Sequence, residues 1–499
     1  MSTQMDNAER QMRKVVDLCL DCDCCRYMYE TNCLFFPKLY ALVDREQETG
    51  ERITGTELRE LAESCNYCAL CPCDDVRQDI LLAKTMFIER DGLPLPLRLL
   101  EDVERLGILC GAAPQIANAL LQHPLSGGLI RKTAGIHAKR KLPLIPRTAF
   151  PAIAKKEGWD TRPAAQSETK GKKVAFFSGC TARRLFPEVA QAAVEVLQRN
   201  NITVYYPPKQ GCCGMPSMLE GDRPTTLASA ERTVSLMSEL IDDGYSIVTS
   251  CPTCGYLLKK ALPERAYYAE EYQALVGGTD RNLMVPEFSP AKQQDPDAPK
   301  LCNVTFNNIQ AALKTVPIPD GILGRVQEMR IRTLSKTIYG SIMKNDGYFA
   351  SLDPLKRIKV SLNCFDLGEF LLSLHRNGEL STQFGAIPGK KAYYAPCHQR
   401  EQAMGIPYAK LMELIPDISM DAIDNVSYCC GLGGIMGFKN EFHYTSIQMG
   451  SRLMAHIKHL SPDHLVTDCL SCRLQFNQMS AYPVQHPIEV LQEAYLASD

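Results

Sequence analysis

Ten cysteines of this chain fall into two sets with the same internal spacing. The first runs Cys180, Cys212-Cys213-Gly214 and Cys251-Pro252-Thr253-Cys254; the second runs Cys397, Cys429-Cys430-Gly431 and Cys469-Leu470-Ser471-Cys472. Thirty-one residues separate the lone cysteine from the adjacent pair in both, and 37 or 38 separate the pair from the Cys-x-x-Cys. The sets lie 217 residues apart, which marks a duplicated module that gathers five sulfurs. Cysteines that merely pack a core need no fixed intervals. Thiolates are soft anionic donors, so such a gathering points to metal or redox chemistry.

A second pattern precedes them. Cys19-x2-Cys22-x2-Cys25 and Cys65-x2-Cys68-x2-Cys71 lie about 45 residues apart, as in a two-cluster ferredoxin, where the fourth ligand of each group binds the other cluster. By that logic one 4Fe–4S cubane takes Cys19, Cys22, Cys25 and Cys73, and the other takes Cys65, Cys68, Cys71 and Cys33. Both fourth ligands depart from the usual spacing, Cys33 lying eight residues after Cys25 and Cys73 two after Cys71. Cys24 is a rival for one of these positions; its other reading is a neighbouring, unligated thiol. Zinc is the rival metal, because paired Cys-x-x-Cys groups also build zinc sites. Cys110, Cys302 and Cys364 stand outside every set and read as buried, inert thiols. His398, beside Cys397, is read either as a hydrogen-bond donor to cluster sulfur or as a solvated or packing residue.

The elements that must position these thiols are of two kinds. Met12, Val15, Val16 and Leu18 have helical character and Glu57–Ser64 reads as a short helix, so 1–92 is expected to be an α-helical ferredoxin-like domain. From residue 174 strands and helices alternate: Val174–Ser178, helix Pro187–Arg199, Ile202–Tyr206, helix Thr225–Asp243 and Ile247–Ser250. The second copy reads Lys391–Ala395, helix Tyr408–Ile415, strand Val426–Tyr428, a long helix through Ile447 and Leu460, and Leu465–Thr467. Strands thus feed the cysteines from their carboxyl ends, where ligands sit in open parallel sheets. The expected architecture is an α-helical two-cluster ferredoxin domain followed by two duplicated α/β cysteine-rich domains. Its parts are 1–92, a basic linker or docking segment 93–171, a first module 172–264, an insert and connection 265–389, and a second module 390–499. Within the insert, Gln327–Met343 reads as a mixed helical pattern.

The bulk composition narrows the class. With 499 residues, 45% apolar and 22% charged, the chain reads as a soluble protein of about three domains. A net charge of −2 argues against a general nucleic-acid binder. Twenty-two cysteines in a long chain without an apolar leader speak for a cytoplasmic metalloprotein over a secreted disulfide scaffold. Residues 105–156 hold nine Lys and Arg, no Asp or Glu, and interleaved leucines. Such a stretch suits either the inner face of the cytoplasmic membrane, or a membrane-bound partner, or a solvated linker. Pro143, Pro146, Pro151, Pro163 and the polar run Gln166–Lys173 mark a loop-rich boundary.

The Cys…Cys-Cys-Gly…Cys-x-x-Cys repeat resembles the CCG domain found in the B subunit of heterodisulfide reductase and in its relatives. With the N-terminal groups, the chain resembles fused iron–sulfur subunits: those of anaerobic glycerol-3-phosphate dehydrogenase (its C subunit), of glycolate oxidase, and of the heterodisulfide reductase type with a D subunit. FDLGEFLLSLH, YYAPCHQ, CCGLGGIMGFK and TDCLSCRLQ look closest to the glycerol-3-phosphate dehydrogenase type. The resemblance implies a 4Fe–4S cluster, noncubane in some relatives, on Cys180, Cys212, Cys213, Cys251 and Cys254. It implies another on Cys397, Cys429, Cys430, Cys469 and Cys472, with a plain cubane or zinc on four of the five as the alternative.

No strand is followed by a Gly-x-Gly-x-x-Gly for FAD or NAD. The favoured function is therefore that of an electron-transfer subunit. It would link a partner flavoprotein dehydrogenase or reductase to a quinone, a quinone-reactive subunit or another acceptor. A catalytic disulfide reductase using a noncubane cluster and a non-redox zinc scaffold are the alternatives.

Overall fold

The N-terminal part is built from amphipathic helices. Met12, Val15 and Val16 of helix Asn7–Cys22 are buried against Phe35, Phe36 and Leu39 of helix Phe35–Thr49 and Leu58 and Leu61 of helix Gly55–Glu63. Thr54 starts the last of these with a reciprocal capping box to Glu57, and helix Asp74–Asp91 packs along the first. The structure, a computed structural model, describes residues 5–22, 24–28, 33–68, 71, 73–163, 172–287 and 313–498. Cys302, residues 166–171 of the polar boundary run and the side chain of Cys22 lie outside the described residues.

Each duplicated module is a four-stranded parallel sheet. In the first, β1 (Lys173–Phe177), β2 (Thr203–Tyr205) and β3 (Ser246–Thr249) are joined by a strand from far along the chain. The intervening segment carries β4 (Asn282–Pro286), β5 (Leu313–Pro317) and β6 (Glu328–Ser335), which form an antiparallel sheet of order β4-β6-β5. Beyond it β7 (Cys364–Asp366) pairs with β3, giving the order β2-β1-β3-β7. In the second module β8 (Gly389–Tyr394), β9 (Ile418–Ile423), β10 (His464–Val466) and β11 (Val484–Gln485) are ordered β9-β8-β10-β11. The two orders are the same topology. The insert sits between the third and fourth strands of the first copy, and β7 takes the place that β11 holds in the second.

Two readings of the sequence need correction. The strand expected at Val426–Tyr428 is instead β9, earlier in the chain. The Asn425 side chain accepts from the Ser427 N–H, and its carbonyl accepts from the Tyr428 N–H, so this stretch turns. The expected helical pattern at Gln327–Met343 is β6 followed by the short helix Lys336–Tyr339, Met329 and Ile331 being buried at strand spacing.

The two modules exchange helices. Helix Leu367–Arg376, which follows β7, packs on helix Pro407–Met412 of the second module. Reciprocally, helix Pro487–Leu496, which follows β11, packs on helix Pro187–Arg199 of the first. Val189, Val196 and Leu197 meet Ile488, Leu491 and Tyr495 in one core that also holds Phe176, Tyr393 and Tyr408. Burying side chains of this size stabilises by about 1.5–3 kcal/mol each, so the halves share a core rather than touching at a rim.

Candidate metal centre

Each cysteine set hangs from carboxyl ends of a parallel sheet. Cys180 follows β1, Cys251 follows β3, Cys397 follows β8 and Cys469 follows β10. A threonine two residues earlier steadies both Cys-x-x-Cys starts: Thr249 Oγ1 accepts from the Cys251 N–H at 3.3 Å and Thr467 Oγ1 from the Cys469 N–H at 3.4 Å. The Cys-Cys pairs turn at glycines with positive φ, 102° at Gly214 and 87° at Gly431. Each glycine N–H then points back at the first thiol of its pair, 3.5 Å from Cys212 Sγ and 3.3 Å from Cys429 Sγ.

The thiols of a set are mutual neighbours. Cys254 Sγ lies 3.5 Å from Cys213 Sγ. Hydrogen bonds from Cys212 and Cys254 pull the Cys213 thiol down to about 6, and bonds from Cys429 and Cys472 pull Cys430 well below its ordinary value. Burial pushes Cys397 up to about 12. In both copies the second cysteine of the pair is thus favoured as thiolate, the form that binds metal, and in the first a hydrogen bond from Cys254 lowers Cys251 as well.

The structure brings three of the four expected sets to one place. A cavity of about 380 Å³ is lined by Cys33, Cys65, Cys68 and Cys71, by Cys180, Cys213, Cys251 and Cys254, and by all five cysteines of the second module. Cys212 interacts with Cys180 and Cys213 at its edge. Cys33 stands beside Cys65, Cys68 and Cys71, the grouping read from the sequence. Of the other expected set, Cys19 and Cys25 are buried in the helical core, whereas Cys73 is exposed at the start of helix Asp74–Asp91. None of these lines the cavity. Cys24 is exposed, Cys364 is buried in the core of the first module, and Cys110 lines the apolar side of the cavity.

Among the described residues no group of three or more His, Cys, Asp or Glu side chains converges at the spacing of a single metal ion. The thiols surround a larger space, and the rest of its wall is mostly apolar, including Leu106, Leu121, Ile130, Leu219, Leu432 and Leu470. Soft donors round a water-poor space of this size fit a thiolate-held iron–sulfur group.

His398 packs between modules. Its Nε2 faces the Tyr67 carbonyl at 3.2 Å and its Nδ1 the Thr253 hydroxyl at 3.0 Å, so the ring donates to the first and accepts from the second. It stacks on Tyr256, and burial lowers it to about 4. Both ring nitrogens are thereby occupied by protein partners, as the packing reading has it.

Sequence reasoning missed the arginine three residues after each lone cysteine. Arg183 donates to the carbonyls of Pro208 and Gln210, and Arg400 to those of Ala395 and Tyr428, so each ties its lone-cysteine turn to the loop ahead of the Cys-Cys pair. The same offset in both copies was the available signal. Gly179 was missed too; its φ is 68°, and a Cβ there would come within 2.9 Å of Cys254 Sγ.

The cysteine-rich domain family, CCG, matches residues 174–259 and again 391–477. The chain therefore carries two CCG domains, and the likeness read from the cysteine spacing holds. The C subunit of the anaerobic glycerol-3-phosphate dehydrogenase of Escherichia coli is 22% identical over 351 residues, 70% of this chain and 65% of that protein. An uncharacterized iron–sulfur protein of Methanocaldococcus jannaschii is 26% identical over 155 residues, 30% of each chain. The B subunit of the fumarate reductase (CoM/CoB) of Methanothermobacter marburgensis is 21% identical over 336 residues, 66% of this chain and 47% of that one. This chain is thus homologous to dehydrogenase and reductase subunits and to iron–sulfur proteins, and it spans less than two thirds of the first of these.

Proposed function

We propose that the protein is an iron–sulfur electron-transfer subunit. It relays electrons between a partner flavoprotein dehydrogenase or reductase and a quinone or other acceptor. The observation that carries this reading is that thiols from the N-terminal part and both CCG domains open on one cavity. Cys68 lies close enough to Cys429, and Cys251 to Cys469, for their charges to interact. Neighbouring sets of this kind suit one-electron steps, which iron–sulfur clusters supply when bound.

In this reading Cys65, Cys68, Cys71 and Cys33 hold one cubane and Cys19, Cys22, Cys25 and Cys73 the other. Each CCG domain holds a further 4Fe–4S group on its five thiols. The chain's own part is to fix the thiolates, keep water out with an apolar wall, and hold the sets at short range. The outer face of segment 93–163 supports docking at a membrane surface or on a membrane-bound partner, because it exposes leucines and isoleucines among basic residues.

The test is anaerobic purification with associated proteins retained, followed by iron, sulfide, zinc and flavin analysis. About sixteen irons per chain are expected, four for each of four sets, with flavin only in a separate polypeptide. Near eight irons with one or two zincs would remove iron from the CCG sites, and stoichiometric flavin in this chain would overturn the relay.

A further inference from the structure

The two CCG domains match in topology and in thiols, yet segment 93–163 gives them different charged neighbours. In the first, Arg183 and its neighbour Arg184 share Glu104 of helix Val103–Gly111, which lies 3.5 Å from Arg183 and closer to Arg184. In the second, the equivalent Arg400 donates to the carbonyls of Ala395 at 2.8 Å and Tyr428 at 3.4 Å and lies against Tyr394, and among the described residues it has no carboxylate partner. The same segment adds a second guanidinium there. Arg140 is 1% exposed, donates from Nη1 to Gln475 Oε1 at 2.8 Å and lies over Phe438. Among the described residues its Nε and Nη2 are buried without a hydrogen-bond partner.

Among the described residues neither Arg140 nor Arg400 has a carboxylate ion-pair partner, and the charges of both act on thiols of the second set, Cys430 and Cys397. Burial lowers Arg140 only to about 10, so it remains a cation at neutral pH. Burying a guanidinium without a counter-charge is costly; an anionic centre at the thiols beside it would offset that cost.

We infer that the two CCG sites are set at different reduction potentials, the second being higher and thus the one of the two on which an electron shared between them comes to rest. Arg140 and Arg400 favour the extra negative charge of the reduced state with two unpaired cations, whereas at the first site Glu104 offsets one of the two guanidinium charges of Arg183 and Arg184. An electron passing between the sites oxidises iron at the first and reduces iron at the second, with no bond made or broken; its source is a reduced partner such as a flavoprotein. The inference rests on the reading that both sites hold redox-active iron.

The experiment is an anaerobic redox titration of the full protein followed by low-temperature EPR. Signals are assigned to sites with Cys213→Ser and Cys430→Ser. The second-site midpoint should lie above the first. Arg140→Met should lower the second midpoint and leave the first in place, Arg140→Lys should restore it, and Glu104→Gln should raise the first. Should Arg140→Met fail to fold, the wild-type difference and Glu104→Gln still decide. Full iron with equal midpoints, or a first-site midpoint above the second, overturns the inference alone. About eight irons and no CCG-site signal overturn the underlying reading and the inference together.

Discussion

At Gly431 a side chain has nowhere to go. A Cβ there would overlap the Ser446 carbonyl oxygen and lie 2.9 Å from the Gly450 nitrogen, both backbone atoms that cannot swing aside. At Gly214 the nearest atoms are Thr226 O at 3.2 Å and Ser229 Cβ at 3.3 Å, a tight fit that a shift of a few tenths of an ångström relieves, so the positive φ is the main resistance to a side chain, a cost of about 1–2 kcal/mol. Gly431→Ala should therefore lose the iron of its CCG site, while Gly214→Ala keeps much of its own; equal losses in metal analysis would mean that the turn, not the clash, governs. His486 gives a second test. Its Nδ1 accepts from the Ile488 N–H at 3.1 Å and its Nε2 donates to the Ser250 carbonyl at 3.1 Å, so only the neutral ring fits. Burial holds it at about 3, below the ordinary 6.5. The unfolded chain then binds the proton first, and stability present above pH 6.5 drains away as pH falls toward 3. Between pH 6.5 and 5 the loss is about 2 kcal/mol, and His486→Asn should flatten that part of the pH dependence of the thermal midpoint. The thiols were legible because their intervals repeat. Arg140 was not, since it sits between exposed Lys139 and Lys141 and only tertiary packing singles it out.

Strands and helices that carry the thiols were readable where burial follows a simple period. Helix Pro187–Arg199 and β1, buried from Val174 to Phe177, are such cases. The misread strand at Val426–Tyr428 failed because an asparagine-driven turn took residues with strand-like composition, and β6 because its alternation covers only its first four residues and was read at helical period. No periodicity in the first module alone could have announced β7, because its partner strand lies on the other side of the insert. The basic segment was half legible. Arg131 and Lys141 bond to backbone carbonyls of the protein itself, yet Ile108, Leu109, Ile116, Leu125 and Leu129 remain exposed, Leu125 by 80%. Vesicles containing anionic phospholipid should bind the protein at low salt and release it as salt rises. Leu125→Ser with Leu129→Ser should weaken binding about tenfold or more, since each buried leucine is worth about 1.5–3 kcal/mol. A wild-type protein that ignores such vesicles at low salt would make this face a site for a protein partner or a solvated linker. Among the described residues no helix is long and apolar enough to cross a membrane.

Across the whole molecule three parts meet at buried charges. Lys439 of the second module pairs with Glu220 of the first at 2.6 Å, both less than a tenth exposed. Lys84 of the N-terminal helices donates to the Cys65 carbonyl at 3.1 Å and the Leu219 carbonyl at 2.8 Å, with Glu220 favouring its charge. Glu220→Gln takes the ion-pair carboxylate from buried Lys439 and should cost about 3–5 kcal/mol, read as a lower thermal midpoint; an unchanged midpoint would mean that water reaches the junction.

The helix exchange also has a consequence for timing. Helix Pro187–Arg199, which braces the first CCG site, is covered by helix Pro487–Leu496, nearly three hundred residues later in the chain. During synthesis the earlier module must wait, its apolar flank uncovered, until the later helix has emerged. Its thiols are made early but their bracing helix is covered late, so if the site holds iron as proposed, filling is expected to follow the emergence of helix Pro487–Leu496.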